Sequence, residues 1–197
     1  MARPREFEPE EAIQKAMQVF WEHGYEGASL PDLLAGMGLT RGSLYKAFKD
    51  KKSLFLLVLD RYEMSAVESG VVLLHNAEIA DGTDRVLLMF KGLVEAVEKG
   101  DNRGCLLCTA AAGSAANDPD ILAAVHSGME KLQAGFFQAL KDAPGLKDIG
   151  TAKRSRLADT LLTQYVGLRM LARSQLPLGI MKHAVQGVED ILRGAVA

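Results

Sequence analysis

The stretch LTRGSLYKAFKDKKSLF, Leu39–Phe55, decides how this chain is read. It holds five basic residues (Arg41, Lys46, Lys49, Lys51 and Lys52) and one acid, Asp50, while the whole chain of 197 residues carries a formal charge of −2. The positive charge of an otherwise acidic protein is therefore gathered around one tyrosine and one glycine. Thr40 has the chemistry of a helix N-cap, and Leu39 and Leu44 stand at the N′ and N4 positions of a hydrophobic staple, so a helix opens at Arg41. Wound at about 100° per residue, that helix puts Leu44, Ala47 and Phe48 on one side. Gly42, Tyr45, Lys46 and Lys49 fall on the other, with Arg41 at its margin. Asp50 caps the next helix, whose first turn holds Lys51 and Lys52. Unpaired N–H groups and the macrodipole already make a helix start positive, and acids are the stabilising choice there. Two lysines at that place imply an anion, and phosphate is the expected occupant. The competing reading is a solvated lysine-rich turn, because charge runs usually mark solvated faces.

Working outward, nearly every segment has helical periodicity and none alternates as a strand does, so the expected fold class is all-α with about nine helices. Pro9, Glu10 and Glu11 suit a first helix that stops at Gly24, and Ser29 with Asp32 reads as a capping box for a short second one. DGTD (81–84), KGDNRG (99–104), NDP (117–119), DAPG (142–145) and LPLG (176–179) divide the rest, including a long apolar helix over about 153–174. Three short helices followed by longer ones place a domain boundary near residue 52, giving 1–52 and 53–197. Two short helices joined by the glycine-containing turn LLAGMGLT make a helix-turn-helix, whose second helix enters the major groove of DNA. At 48% hydrophobic residues the chain can bury a core, and its polar start, MARPREFEPEE, does not suit a signal peptide, which points to the cytoplasm.

The segment AIQKAMQVFWEHGYEGASLPDLLAGMGLTRGSLYKAFKDKKSLFLLVLDRY, Ala12–Tyr62, resembles the TetR-type transcriptional regulators. The resemblance covers the whole DNA-binding module, with G-Y-x-x-x-S, the turn, R-G-S-L-Y-x-x-F and K-x-x-L-F in register. It implies an all-α homodimer that binds a palindromic operator in double-stranded DNA as a repressor and releases it when the larger domain binds a small-molecule inducer. Ser29, Thr40, Arg41, Ser43, Tyr45, Lys46 and Lys51 match the family's backbone- and base-contacting positions. Gly42 and Lys52 join them from the charge and spacing alone. Arg3 and Arg5 resemble the basic arm of some members. No enzyme activity and no cofactor are implied.

A second informative stretch is DNRGCLLCTAAAGSAANDPDI, residues 101–121. Cys105 and Cys108 are three apart and so neighbours on one helical face. A thiol in the first turn of a helix, with Arg103 beside it, has the surroundings of a reactive cysteine. Core packing is the competing reading, since free cysteine behaves as a small hydrophobe. Zinc is the third, although a complete site needs four ligands and His75, His126 and His183 have no recognisable spacing with the pair. RGCLL and NDPDI resemble a TetR branch that includes sensors of reactive electrophiles, with Cys105 at the matching position. A thiol-based redox protein using Cys105 and Cys108 is the alternative function. Phe90, Met129, Phe136 and Tyr165 are candidates to line an apolar ligand site, with Tyr165 as its polar anchor, against the plainer reading as core. The helix LADTLLTQYVGLRMLA (157–172) is apolar nearly all round, so burial on more than one side is expected. In the last helix Ile180, Ala184, Val188 and Ile191 form one stripe, and pairing these two helices across a two-fold axis would make a four-helix dimer interface.

Overall fold

The computed structural model describes residues 7–194, and those residues contain helices and turns with no strand. The α-helices are α1 (Pro9–Gly27), α2 (Leu30–Met37), α3 (Arg41–Phe48), α4 (Lys51–Tyr62), α5 (Glu68–Leu74), α6 (Gly82–Glu98), α7 (Leu106–Ala112), α8 (Pro119–Lys141), α9 (Gly150–Arg173) and α10 (Leu178–Gly194). A π-helical turn over Glu63–Val67 joins α4 to α5 as one rod, so the described residues form nine rods, as expected. No residue signal foretold that turn. Ser65 Oγ donates to the carbonyls of Arg61 (2.9 Å) and Tyr62 (3.3 Å) inside it, a back-bonding that competes with the regular helical ladder.

Local chemistry sets the ends of the helices. Ser29 and Asp32 form the expected capping box at α2. Thr40 Oγ1 accepts from the Ser43 N–H at 3.2 Å, Asp50 Oδ1 from the Ser53 N–H at 2.7 Å, and Asp81 Oδ1 from the Thr83 N–H at 2.8 Å. Each such cap stabilises its helix by about 1 kcal/mol. Helix α1 breaks where Gly24 turns to φ 72°, but one further turn carries it to Gly27, three residues beyond the expected stop. Helix α9 opens at Gly150, earlier than the basic run suggested.

One continuous apolar core runs through the molecule. At the amino-terminal end, Phe55 lies 4.8 Å from both Phe20 and Tyr25 between ring centroids, and Leu33, Leu44 and Leu54 are fully buried around them. Helix α8 is the central rod of the larger part, touching α4, α5, α6, α7 and α9, while α10 packs on α6 and α9. Gly82 opens α6 against α8 so closely that a Cβ there would lie 1.7 Å from the Ala139 carbonyl oxygen.

The last two helices are only partly covered within the chain. Within the chain α9 buries one stripe, Ala158, Leu161, Tyr165, Leu168 and Ala172, and leaves Met170 exposed. The proposed stripe on α10 divides: Val188 joins the buried line of Met181, Val185 and Leu192, whereas Ile180 and Ile191 stand outside it. The neighbouring helices α6 and α9 cover only one narrow line of α10, and the next line, 100° round the helix, stays open. Among the described residues no helix is long and apolar enough to cross a membrane.

Candidate nucleic-acid interface and buried thiol site

Helix α3 sorts its residues cleanly. Leu44 and Phe48 are buried, while Arg41, Gly42, Tyr45 and Lys46 share an exposed face. Ala47, expected on the apolar side, is exposed as well. A Cβ at Gly42 would meet nothing within 4 Å, so the protein's own packing makes no demand for glycine there. Thr40 Oγ1 and Ser43 Oγ are 2.9 Å apart, which ties both hydroxyls to the start of the helix. Ser29, at the exposed start of α2, has its N–H donating to Asp32 Oδ2 at 3.0 Å. The arm residues Arg3 and Arg5 lie outside the described residues.

The two lysines at the start of α4 part company. Lys52 Nζ lies 2.6 Å from Asp118 Oδ2 and 2.8 Å from Asp120 Oδ2, at the start of α8. Hydrogen bonds to these two carboxylates raise the pKa of its ammonium above the ordinary lysine value. Lys51 instead lays its ammonium 4.8 Å from the centroid of the Tyr25 ring. Burial against that ring lowers its pKa, opposed by the nearby Glu26 carboxylate. Lys51 thus stays beside the α3 face, whereas Lys52 ties α4 to the larger part of the molecule. The shared charge suits one phosphate cradle for both lysines, and the carboxylates of Asp118 and Asp120 distinguish them.

Cys105 is the N-cap of α7, in an extended conformation (φ −115°, ψ 126°), and Cys108 is the third residue of that helix. Both thiols are free and buried. The Cys108 thiol donates a hydrogen bond to the Cys105 sulfur, and this contact does most to lower the Cys105 pKa, to about 6. Burial opposes it, and the Cys108 backbone N–H, the Tyr62 hydroxyl and the Arg169 charge assist. Cys108 moves the opposite way, since it holds the shared proton and is itself buried.

The cation beside the thiol is therefore Arg169 and not Arg103. Arg103 pairs with Asp101 at 2.8 and 2.9 Å, donates to Gln18 and lies 4.1 Å from the Trp21 ring centroid. Arg169 donates from Nε to the Tyr165 hydroxyl (3.2 Å) and from a terminal nitrogen to the Gly104 carbonyl (3.4 Å). Gly104 adopts φ 74°, and a Cβ there would lie 2.8 Å from the Arg169 carbonyl oxygen, so this loop needs glycine on two counts. Tyr62, at the end of α4, stands edge-on to Trp21 of α1 at 5.0 Å. Tyr62 and Arg169 are the residues that sequence reading missed. The available signal for Arg169 was one arginine inside the apolar run 161–172, a turn beyond Tyr165.

Phe90, Phe136 and Tyr165 do come together, with centroids 5.8 to 6.1 Å apart, and Tyr165 finds its partner in Arg169. Met129 sits half-buried at the margin of the core. Among the described residues no group of three or more His, Cys, Asp or Glu side chains is placed to hold a metal ion.

Comparison with known proteins follows this division of the chain. Residues 12–58 match the family model for bacterial regulatory proteins of the tetR family. The HTH-type transcriptional repressor ComR of Escherichia coli is 48% identical over 60 residues, 30% of this chain and 29% of that protein. The chain thus matches less than a third of ComR's length. The HTH-type transcriptional regulator YezE of Bacillus subtilis is 26% identical over 173 residues, 87% of each chain. A structure of a cysteine mutant of the TetR family transcriptional regulator CifR, complexed with 26bp double-strand operator DNA, aligns with a TM-score of 0.80 at 28% identity, over 97% of this chain and 98% of that one. The helix-turn-helix segment thus matches the tetR family over residues 12–58, and the fold of the whole chain is like that of the TetR-family regulator CifR.

Proposed function

We propose that the protein is a homodimeric transcriptional repressor that acts in the cytoplasm, binds a palindromic operator through α3 and is released from it by an electrophilic small molecule. The observation that carries this reading is the exposed Arg41–Gly42–Tyr45–Lys46 face of α3, held from behind by Leu44 and Phe48. Its size and charge suit a major groove. Lys51, Tyr45, Thr40 and Ser29 would hold phosphates, while Arg41, Gly42, Ser43 and Lys46 would lie nearest base edges. Residues 1–52 would then be the reader and 53–197 the sensing and pairing part. ComR is named as a repressor and the CifR mutant is seen with operator DNA, which agrees with this assignment. Support for pairing comes from the apolar residues that the chain leaves uncovered on its last two helices, Met170 on α9 with Ile180 and Ile191 on α10.

Cys105 is the proposed point of attack. Its thiol is poised as an anion near neutral pH, and thiolate is the nucleophilic form. Its neighbour Tyr62 ends the helix that starts beside α3, so a group added there would press on the reader. One experiment tests the whole reading: retention of the purified protein on duplex DNA as salt is raised, with and without a quinone. Retention should fall steeply with salt, and the quinone should release wild type but spare Cys105→Ser. No retention at low ionic strength would end the DNA reading, and equal release of both proteins would end the role of Cys105.

A further inference from the structure

The Cys105–Cys108 pair has a property that a simple electrophile trap does not need. Alkylation of Cys105 consumes one thiol, yet a second, Cys108, stands in the first turn of the helix that Cys105 caps, and both are buried. The chain has two cysteines in all, both free, so neither has another partner within the chain. Their division of roles is asymmetric. Cys105 faces the Tyr62 hydroxyl and the Arg169 charge, which favour an anion, whereas Cys108 keeps its proton. Cys105 is also extended and outside the helical turn that begins at Leu106. Side chains three residues apart at a helix start lie about 5–6 Å apart between Cβ atoms, near the reach of a disulfide, and the Thr109 N–H bond to the Cys105 carbonyl (3.0 Å) holds that first turn.

We propose that Cys105 and Cys108 form a redox-active dithiol, oxidised to an intrachain disulfide by a hydroperoxide and restored by a small thiol. The Cys105 thiolate attacks the outer peroxide oxygen, and the O–O bond breaks. The alkoxide that leaves takes up a proton and departs as the alcohol. The Cys108 sulfur then attacks the Cys105 sulfenic acid: the S–S bond forms, the S–O bond breaks, and hydroxide leaves with the Cys108 proton as water. The two thiols lose two electrons in all, and the peroxide gains them. The disulfide carries no charge, so Tyr62 and Arg169 lose the anion they face, and the change reaches α1 and α4 through the Tyr62–Trp21 contact. This proposal shares Cys105 with the electrophile reading but does not depend on it.

The test uses reduced full-length protein and tert-butyl hydroperoxide, followed by thiol counting, intact mass and non-reducing electrophoresis. Both thiols should disappear together, the mass should fall by two hydrogens, and the chain should run as a monomer until dithiothreitol restores both thiols. Cys108→Ser should stop one step earlier, gaining one oxygen and reacting with dimedone, while Cys105→Ser should keep its thiol under the same treatment. Oxidised wild type should be retained on duplex DNA roughly tenfold less well, within the usual range of coupling between sites. A wild-type chain that gains oxygen and keeps one thiol, or that crosslinks only between chains, overturns the dithiol. Unchanged DNA retention after full oxidation overturns its regulatory effect. A quinone that fails to alkylate Cys105 while peroxide still closes the disulfide removes the electrophile reading and leaves this one standing.

Discussion

Helix α3 takes its shape from residues within four positions of one another, whereas the thiol site is assembled from α4, α7 and α9. At α3 the Thr40 cap, the buried Leu44 and Phe48 and the exposed cations all lie within nine residues. At the thiol site Tyr62, Cys105, Cys108, Tyr165 and Arg169 meet only because three helices converge. A reader of DNA has to present side chains outward, and local helix chemistry can do that by itself. A site that tunes a thiol needs partners enclosed around it, and these come from distant parts of the chain.

The sharpest way to break this contrast is to remove the packing beneath the reader. Phe55 is fully buried between Phe20 and Tyr25. Phe55→Ala should cost about 3–5 kcal/mol in urea unfolding and abolish DNA retention. A loss under 1 kcal/mol would mean that the module stands without its aromatic centre.

The thiol site should respond to pH. Folding lowers the Cys105 pKa from its ordinary 9.0 to about 6, so the stability it contributes is complete above pH 9 and is lost as pH falls towards 6. Cys108 has the opposite sign: its raised pKa means that ionisation of the unfolded chain above pH 9 favours unfolding. Wild-type stability should therefore climb between pH 6 and 9 more than that of Cys105→Ser, and then decline. The rate of alkylation by iodoacetamide should have its midpoint near pH 6, and Arg169→Gln should move that midpoint upward. An unmoved midpoint would show that Arg169 supports the loop and not the thiolate.

Smaller effects separate the cations at the interface. Arg41→Ala should relax base preference at one operator position by about 1–3 kcal/mol, measured by selection from random duplexes. Lys51→Ala should lower the slope of affinity against salt by about one unit, while Lys52→Ala should leave it unchanged. Lys52→Ala should instead lower stability only slightly in urea unfolding, as loss of an exposed ion pair does. Equal slopes for both variants would return Lys52 to the phosphate cradle.

These cases also explain what the sequence could disclose. The caps at Ser29, Thr40 and Asp50 were legible because donor and acceptor sit three residues apart. The Lys52 ion pair was not legible because its carboxylate partner Asp120 lies 68 residues away, and the same charge suits a phosphate or an aspartate equally well. Arg103 was chosen as the cation beside the thiol because it is near in sequence, but Asp101, two residues before it, holds it on the surface. The stripe expected on α10 is divided, with Val188 buried within the chain and Ile180 and Ile191 left exposed, because periodicity gives the faces of a helix and not which face its neighbours cover.

The π turn at Glu63–Val67 carries a consequence for insertions and deletions. It fits one surplus residue into a rod that otherwise winds as an α-helix from Lys51 to Leu74. Deleting any one of those five residues would heal the rod into an unbroken α-helix and leave its hydrogen-bond ladder complete. Because a five-residue π turn and four residues of α-helix wind through nearly the same angle, the segments before and after the cut would keep their phase. The amino-terminal module would then keep its orientation, whereas a deletion elsewhere in the rod, with no bulge to absorb it, would screw the two halves about 100° apart.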